Sequence, residues 1–401
     1  MKRFALIACC LLAACTAPQE ESLLVRTVKS EMQRCPTGAD LDGLQGKLKW
    51  NYTTGLELKA FLDCHDLEGA GATLGYVRDW YDAIIDSTGT IGGGYKESNY
   101  SLDHICPGWT LLKLVGFHPE EKYDKALQQL YRQLQAQPRN PEGGFWHKKI
   151  YPEQMWLDGL YMAMPFYAEY TRDYVADSLR TAHYDDIVRQ FSLAFEHCYD
   201  PATGLLRHAW DASHQMFWCD PLTGQSAHAW GRALGWYTMA LVEVIDILET
   251  AEGYQDTTLP SILSSVFASL LKYADPETGL WYQVLDCPGQ EGNYLEATCN
   301  AMFAYVMLKG VRLGVLDGVD EQLACQTYKQ MVKTFVTIDE TGLVVLNDCC
   351  AVAGLGGKQM RSGTYDYYIN EQIVENDPKG MGPLIWAMLE YERYHENELE
   401  K

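Results

Sequence analysis

One turn is written five times along this chain, and that repetition limits the possible fold more than any other feature. Asp86-Ser87-Thr88-Gly89, Asn140-Pro141-Glu142-Gly143-Gly144, Asp200-Pro201-Ala202-Thr203-Gly204, Asp275-Pro276-Glu277-Thr278-Gly279 and Asp339-Glu340-Thr341-Gly342 share an opening acid or amide and a closing glycine. An Asp or Asn side chain hydrogen-bonds its own backbone a few atoms on, and glycine adopts the left-handed conformation that closes such a turn. Successive copies lie about 55 to 75 residues apart, which leaves room for a helical hairpin in each interval. The intervals carry helical periodicity over roughly 54–66, 70–86, 106–116, 120–136, 153–171, 181–198, 229–250, 258–273, 293–313, 318–336 and 378–395. Strand-like runs such as Leu343-Val344-Val345-Leu346 are too few for a sheet-based fold. The pattern predicts an all-α chain of about eleven or twelve helices, in hairpins that curl into a closed toroid or an open solenoid. Turns recurring at one end put loops, and therefore a site, on one face.

Met1-Lys2-Arg3 and the apolar run Phe4 to Ala14 read as a signal peptide over residues 1–14, too short to span a bilayer. The run ends Leu12-Ala13-Ala14-Cys15, which resembles the bacterial lipobox. That resemblance implies a lipidated Cys15, a polar tether over 15–38 and a place at the bacterial cell envelope, and with no break in composition between about 40 and 395 the rest, 39–401, reads as a single domain. Of thirteen cysteines, ten lie beyond Cys15 with no CxxC pair and no zinc spacing, so buried thiols with one or two bridges are expected. A formal charge of -22 argues against nucleic acid as a partner and means that an acidic ligand needs a local cationic cluster. The 26 tyrosines and 11 tryptophans offer the aromatic walls of a ligand cleft as well as core packing.

The chemistry-bearing residues fall in a few stretches. Tyr151-Pro152-Glu153-Gln154-Met155-Trp156-Leu157-Asp158-Gly159-Leu160-Tyr161 sets one carboxylate among apolar and aromatic positions of helical period. This predicts Asp158 about two turns inside a helix, where desolvation raises its pKa and keeps an acid ready to donate; the alternative is a structural aspartate bonded to a neighbouring helix. Asp103 stands just before a helix, as an N-cap or as a second carboxylate that positions water. His208 follows the third turn, and Trp230-Gly231-Arg232-Ala233-Leu234-Gly235-Trp236 opens a long helix with an arginine between two tryptophans. Arg can hold a carboxylate bidentately while Trp stacks on a sugar ring; otherwise these are a salt bridge and core aromatics. His147-Lys148-Lys149 adds positive charge to the same region.

Trp-Leu-Asp-Gly-Leu-Tyr-Met-Ala at 156–163, Trp-Gly-Arg-x-x-Gly-Trp-Tyr at 230–237, and Gly363-Thr364-Tyr365-Asp366-Tyr367-Tyr368 with Asn376-Asp377-Pro378-Lys379-Gly380-Met381-Gly382-Pro383 resemble glycoside hydrolase family 105, the unsaturated rhamnogalacturonyl hydrolases, from about Trp50 to the last helix. The resemblance implies an (α/α)6 barrel, a toroid of six helical hairpins, that uses no cofactor or metal. It also implies removal of a 4,5-unsaturated uronic acid from acidic oligosaccharides left by polysaccharide lyases. Asp158 would be the acid and Asp103 its carboxylate partner. His208, Trp230, Arg232, Trp236, His147, Lys148, Asn51, Tyr52 and Tyr365 would bind substrate. Ala233-Leu234 depart from the family's Gly-Asn at this point of the motif, which bears on the subsite wall. Competing readings are a hydrolase of unsaturated glucuronyl units from ulvan or glycosaminoglycans, and a non-catalytic glycan-binding lipoprotein.

Overall fold

The computed structural model describes residues 21–399. The signal peptide and Cys15 lie outside the described residues. Among the described residues, twelve long helices alternate between two concentric rings: α1 (Leu23–Arg34), α2 (Tyr52–Asp63), α3 (Thr73–Ile84), α4 (Cys106–Phe117), α5 (Glu121–Gln135), α6 (Leu157–Tyr174), α7 (Asp177–Cys198), α8 (Gly231–Glu249), α9 (Thr258–Leu270), α10 (Ala297–Leu313), α11 (Glu321–Phe335) and α12 (Pro378–Leu399). The even-numbered helices pack each on the next, and α12 returns to α2, so the inner ring closes. The odd-numbered helices lie outside them, α1 against α12. The closed toroid, not the open solenoid, is the outcome. Composition explains the sorting: every residue of α8 except Asp246 and Glu249 is buried, as a helix surrounded by others requires.

Helix α1 corrects the expected tether over 15–38. Ser22 caps it by accepting from the Val25 N–H at 3.2 Å, and Leu24 and Val28 are fully buried. Arg26 and Arg34 donate to the carbonyls of Gly342 and Val344. These residues supply the outer helix of the first hairpin, and without them the sixfold count is incomplete. The apolar spacing of 24, 25 and 28 carried this signal, but two arginines and a lysine made the segment look like a polar spacer.

The five repeated turns follow α3, α5, α7, α9 and α11, so all lie where an outer helix leads into an inner one. Each opening side chain accepts from the backbone ahead: Asp86 from Thr88, Asn140 from Glu142, Asp200 from Ala202, Asp275 from Thr278 and Asp339 from Thr341, all at 2.8–3.0 Å. A further copy, Asp220-Pro221-Leu222-Thr223-Gly224, folds the long connection into α8 in the same way. On this face the structure adds three two-stranded ribbons: β1 (Gln154–Trp156) with β2 (Ala209–Asp211), β3 (Val336–Ile338) with β4 (Val344–Leu346), and β5 (Cys349–Cys350) with β6 (Ile373–Val374). A belt of single backbone bonds links the loop entering one inner helix to the loop entering the next: Trp50 to Gly93, Leu102 to His147, Leu157 to His208, Gly231 to Gln283, and Ala297 to Asp348. Alternation of outer and inner helices makes the inner six parallel, so the belt gathers their N-termini at one rim. There the positive ends of their dipoles favour anions. The ten described cysteines are all free thiols, so the expected one or two bridges are not formed among them.

Candidate active site

Glu153 takes a left-handed conformation with φ 62°, after which residues 154–156 pair as β1 with β2 in the register Gln154–Asp211, Met155–Trp210, Trp156–Ala209. Strand pairing therefore consumes the first turn expected of the helix. Helix α6 starts at Leu157, and Asp158 lies in its first turn, not two turns inside. The same register carries His208 to it: Nε2 is 3.2 Å from Asp158 Oδ2, an ion-pair distance. His208 is fully buried, and its Nδ1 lies 2.7 Å from the Tyr368 hydroxyl.

Asp103 sits on the short turn Leu102–His104 ahead of α4. The Leu102–His147 belt bond brings His147 Nε2 to 3.3 Å from Asp103 Oδ1 and pairs Lys148 Nζ with Oδ2. Trp156 stands between the two carboxylate sites. Its ring stacks on His147 at 4.7 Å, with planes 8° apart, and meets His208 edge-on at 5.5 Å.

The electrostatics correct one expectation. Burial does push the Asp158 carboxyl upward, but His208, and behind it His147, outweigh burial and hold it below the usual carboxylate range. In the free protein Asp158 is a carboxylate. Asp103 is likewise opposed by burial and held well below its ordinary value by Lys148 and His147. Burial keeps the His147 imidazole below its ordinary value despite Asp103.

Arg232 lies in the first turn of α8, 1% exposed. Its Nη1 donates to the Cys350 carbonyl, its guanidinium sits 4.8 Å over the Trp230 ring, and its Nε and Nη2 have no partner. Trp230 in turn stacks on Tyr368 at 5.9 Å and approaches His208 at 4.9 Å, so Arg232, Trp230, Tyr368, His208 and Asp158 form one contiguous cluster. Trp236 is buried beneath, between Tyr52 at 6.2 Å and Tyr161 at 4.8 Å, and supports the wall from below. Burial, then Asp103, raise the Tyr52 hydroxyl far above its ordinary pKa, while Arg232 opposes them. Asn51 Nδ2 donates to Asp42 at 3.1 Å, and its Oδ1 is free of partners. A cavity of about 670 Å³ opens beside Asn51, Tyr52, Asp103 and His104.

Tyr365 does not join the cluster. It lies on the single helical turn Tyr365–Ile369, with its hydroxyl donating to the Gln290 and Glu291 carbonyls and its ring 6.2 Å from His228. Tyr368, three residues on, is the tyrosine that reaches the site. The run Tyr365-Asp366-Tyr367-Tyr368 signalled aromatic density, but the face that turns inward is set only by how this turn docks.

A model of the family described as Glycosyl Hydrolase Family 88 matches residues 23–395. The chain belongs to this family. A C. acetobutylicum glycoside hydrolase of family 105 is 39% identical, covering 93% of this chain and 100% of its own with a TM-score of 0.86, in agreement with the motif resemblance to family 105 and with the six-hairpin barrel. Protein Atu3128 of Agrobacterium fabrum is 38% identical over 239 residues, 57% of this chain and 97% of that protein. The unsaturated rhamnogalacturonyl hydrolase YesR of Bacillus subtilis is 28% identical over 298 residues, 68% of this chain and 77% of YesR. An unsaturated glucuronyl hydrolase specific for heparin shares the fold at 11% identity, with a TM-score of 0.64 over 93% of this chain and 98% of that one. This family 88/105 chain is a glycoside hydrolase, and its family match begins at Leu23, the first residue of α1.

Proposed function

We propose that this hydrolase removes a 4,5-unsaturated uronic acid from the end of lyase-generated oligosaccharides, with rhamnogalacturonan fragments as its substrates. The observation that carries the reading is Arg232. Two donors of a fully buried guanidinium, unpartnered beside the Asp158–His208 pair and at a rim of helix N-termini, suit a carboxylate held bidentately. Buried donors are seldom left orphaned, so a ligand that satisfies them is the economical explanation. The similarity to YesR supports rhamnogalacturonan fragments over glucuronyl substrates.

In the proposed reaction Asp158 protonates C4 of the unsaturated ring, an oxocarbenium-like centre develops at C5, and water adds there. The proton lost by water restores the acid. The resulting hemiketal opens and expels the next sugar. Trp230 and Tyr52 form the walls, and Asp103 with His147 positions the water. Because Asp158 is charged in the free protein, it takes up its proton as the substrate binds: an arriving uronate anion and the exclusion of solvent both raise its pKa.

The test follows the ultraviolet absorbance of the conjugated double bond while the protein meets lyase digests of rhamnogalacturonan, homogalacturonan, ulvan and chondroitin separately. Loss is expected with rhamnogalacturonan. Loss confined to ulvan or chondroitin would assign a glucuronyl preference instead, and no loss in any digest would overturn the reading. Asp158→Asn is expected to abolish turnover and retain substrate affinity; a fully active variant would refute the assigned acid.

A further inference from the structure

Away from the acid cluster, the loops entering α8 and α10 meet at His228, Asp286 and Cys287. His228 Nδ1 lies 3.0 Å from Asp286 Oδ2 and 3.7 Å from Cys287 Sγ. One ring nitrogen makes one good hydrogen bond, yet this one faces both a carboxylate and a thiol. These three ligand atoms, of three kinds, all lie within 4.8 Å of one another. Zinc bonds of about 2.0 to 2.3 Å in tetrahedral geometry place ligand atoms about 3.3 to 3.6 Å apart, between the two separations observed. We propose that His228, Asp286 and Cys287 form a binding site for a thiophilic divalent transition-metal ion of the zinc class.

The surroundings hold the three ligands in place as metal sites require. Asp286 Oδ1 accepts from the Ala229 N–H at 3.0 Å, and Leu285 N–H donates to the Ala229 carbonyl at 2.9 Å. Asn293 Nδ2 donates to the carbonyls of Val284 and Cys287 at 2.9 and 2.7 Å, which braces the loop from inside. Arg207 Nη1 now lies 2.8 Å from Asp286 Oδ2 and competes for that oxygen. It is not stranded if the ion takes its place, because its guanidinium also holds Asp200 Oδ2 at 2.6 Å and the Ala227 carbonyl. On binding, the Cys287 S–H bond is replaced by a sulfur–metal bond and the proton leaves to solvent. A dication with one thiolate, one carboxylate and a neutral imidazole carries no net charge. His228 and Cys287 are partly exposed, so ions can enter and water can complete the coordination. The His228 carbonyl receives the His208 N–H at 3.2 Å, and Trp230 is two residues on, so an ion here clamps the wall of the active site without touching the reacting sugar.

The experiment is a cobalt(II) titration of the chelator-treated full chain, read by absorbance and independent of turnover. One ion per chain is expected, with the intense near-ultraviolet band of a cobalt thiolate, displaced by zinc. Cys287→Ser and His228→Gln each remove a direct ligand and are expected to weaken binding by more than the roughly ten- to hundredfold that loss of an outer-shell partner costs. Cys219→Ser, which alters another partly exposed thiol, is expected to leave the band unchanged. Zinc is expected to raise the Tm of the wild-type chain and not that of Cys287→Ser. No cobalt band in the wild-type chain overturns the proposal, as does a band that persists undiminished in folded Cys287→Ser.

Discussion

Asp158 and Asp103 occupy the same rim and share a histidine neighbourhood, yet their partners give them different work. Asp103 is paired with the Lys148 ammonium and faces the His147 ring, and Lys148 first among the two keeps it ionised. Asp158 has His208 alone in direct contact, and that imidazole is oriented by Tyr368. Tyr368→Phe removes the partner of Nδ1 and frees the ring, so kcat is expected to fall by about ten- to a thousandfold with an unchanged circular dichroism spectrum. The depressed pKa of Asp103 also has a sign for stability. Its ordinary value is about 3.9, so its contribution is complete above about pH 4 and is lost as pH falls through the lower folded value. Melting curves of wild-type and Asp103→Asn proteins should therefore differ by a steady gap above about pH 5 that shrinks as pH falls from about 4 towards the lower folded value; a gap that stays constant through that acid range would contradict the pairing.

At the scale of elements, the first outer helix matters most. Helix α1 is tied by Arg26 to the turn at Gly342, more than three hundred residues away in the chain, so the N- and C-terminal parts close the ring on each other. Leu24 is fully buried in the hydrophobic core. Leu24→Ala is expected to cost about 2–5 kcal/mol, measured by denaturant unfolding. A cost near zero would mean that α1 is an ornament on a ring already closed without it. The same element walls part of the cavity beside Asn51, Tyr52 and Asp103 through Glu31 and Arg34, so its loss should also raise KM.

Across the whole molecule, a charge of -22 surrounds a site proposed to bind an anion. The converging helix N-termini and Arg232 act within a few ångströms, whereas the repulsive field reaches about 30 Å at 10 mM salt and about 8 Å at 150 mM. kcat/KM on an anionic uronyl oligosaccharide is therefore expected to rise between those salt concentrations, checked by initial rates. A fall would show that cationic steering at the rim dominates.

What the sequence determined by itself was whatever depends on near neighbours. The side-chain caps of Asp86 to Asp339 act over two to four residues, and helical periodicity acts over a single turn, so the repeat, the helices and the face that carries the loops were legible. So were Asp158, Asp103 and Arg232, whose residue types stand out against apolar surroundings. Tertiary structure alone decided which histidine meets which acid, because the register of β1 on β2 joins Gln154 to Asp211 and Trp156 to Ala209, residues far apart in the chain. It turned Tyr368 inward and left Tyr365 outside. It made Leu23–Arg34 a member of the outer ring, since contacts with α12 and β4, both distant in the chain, bury its apolar stripe. It also reversed the expected shift of Asp158: burial can be anticipated from apolar neighbours along the chain, whereas an opposing imidazole at 3.2 Å comes from a distant segment, and at that range the charge prevails over the desolvation.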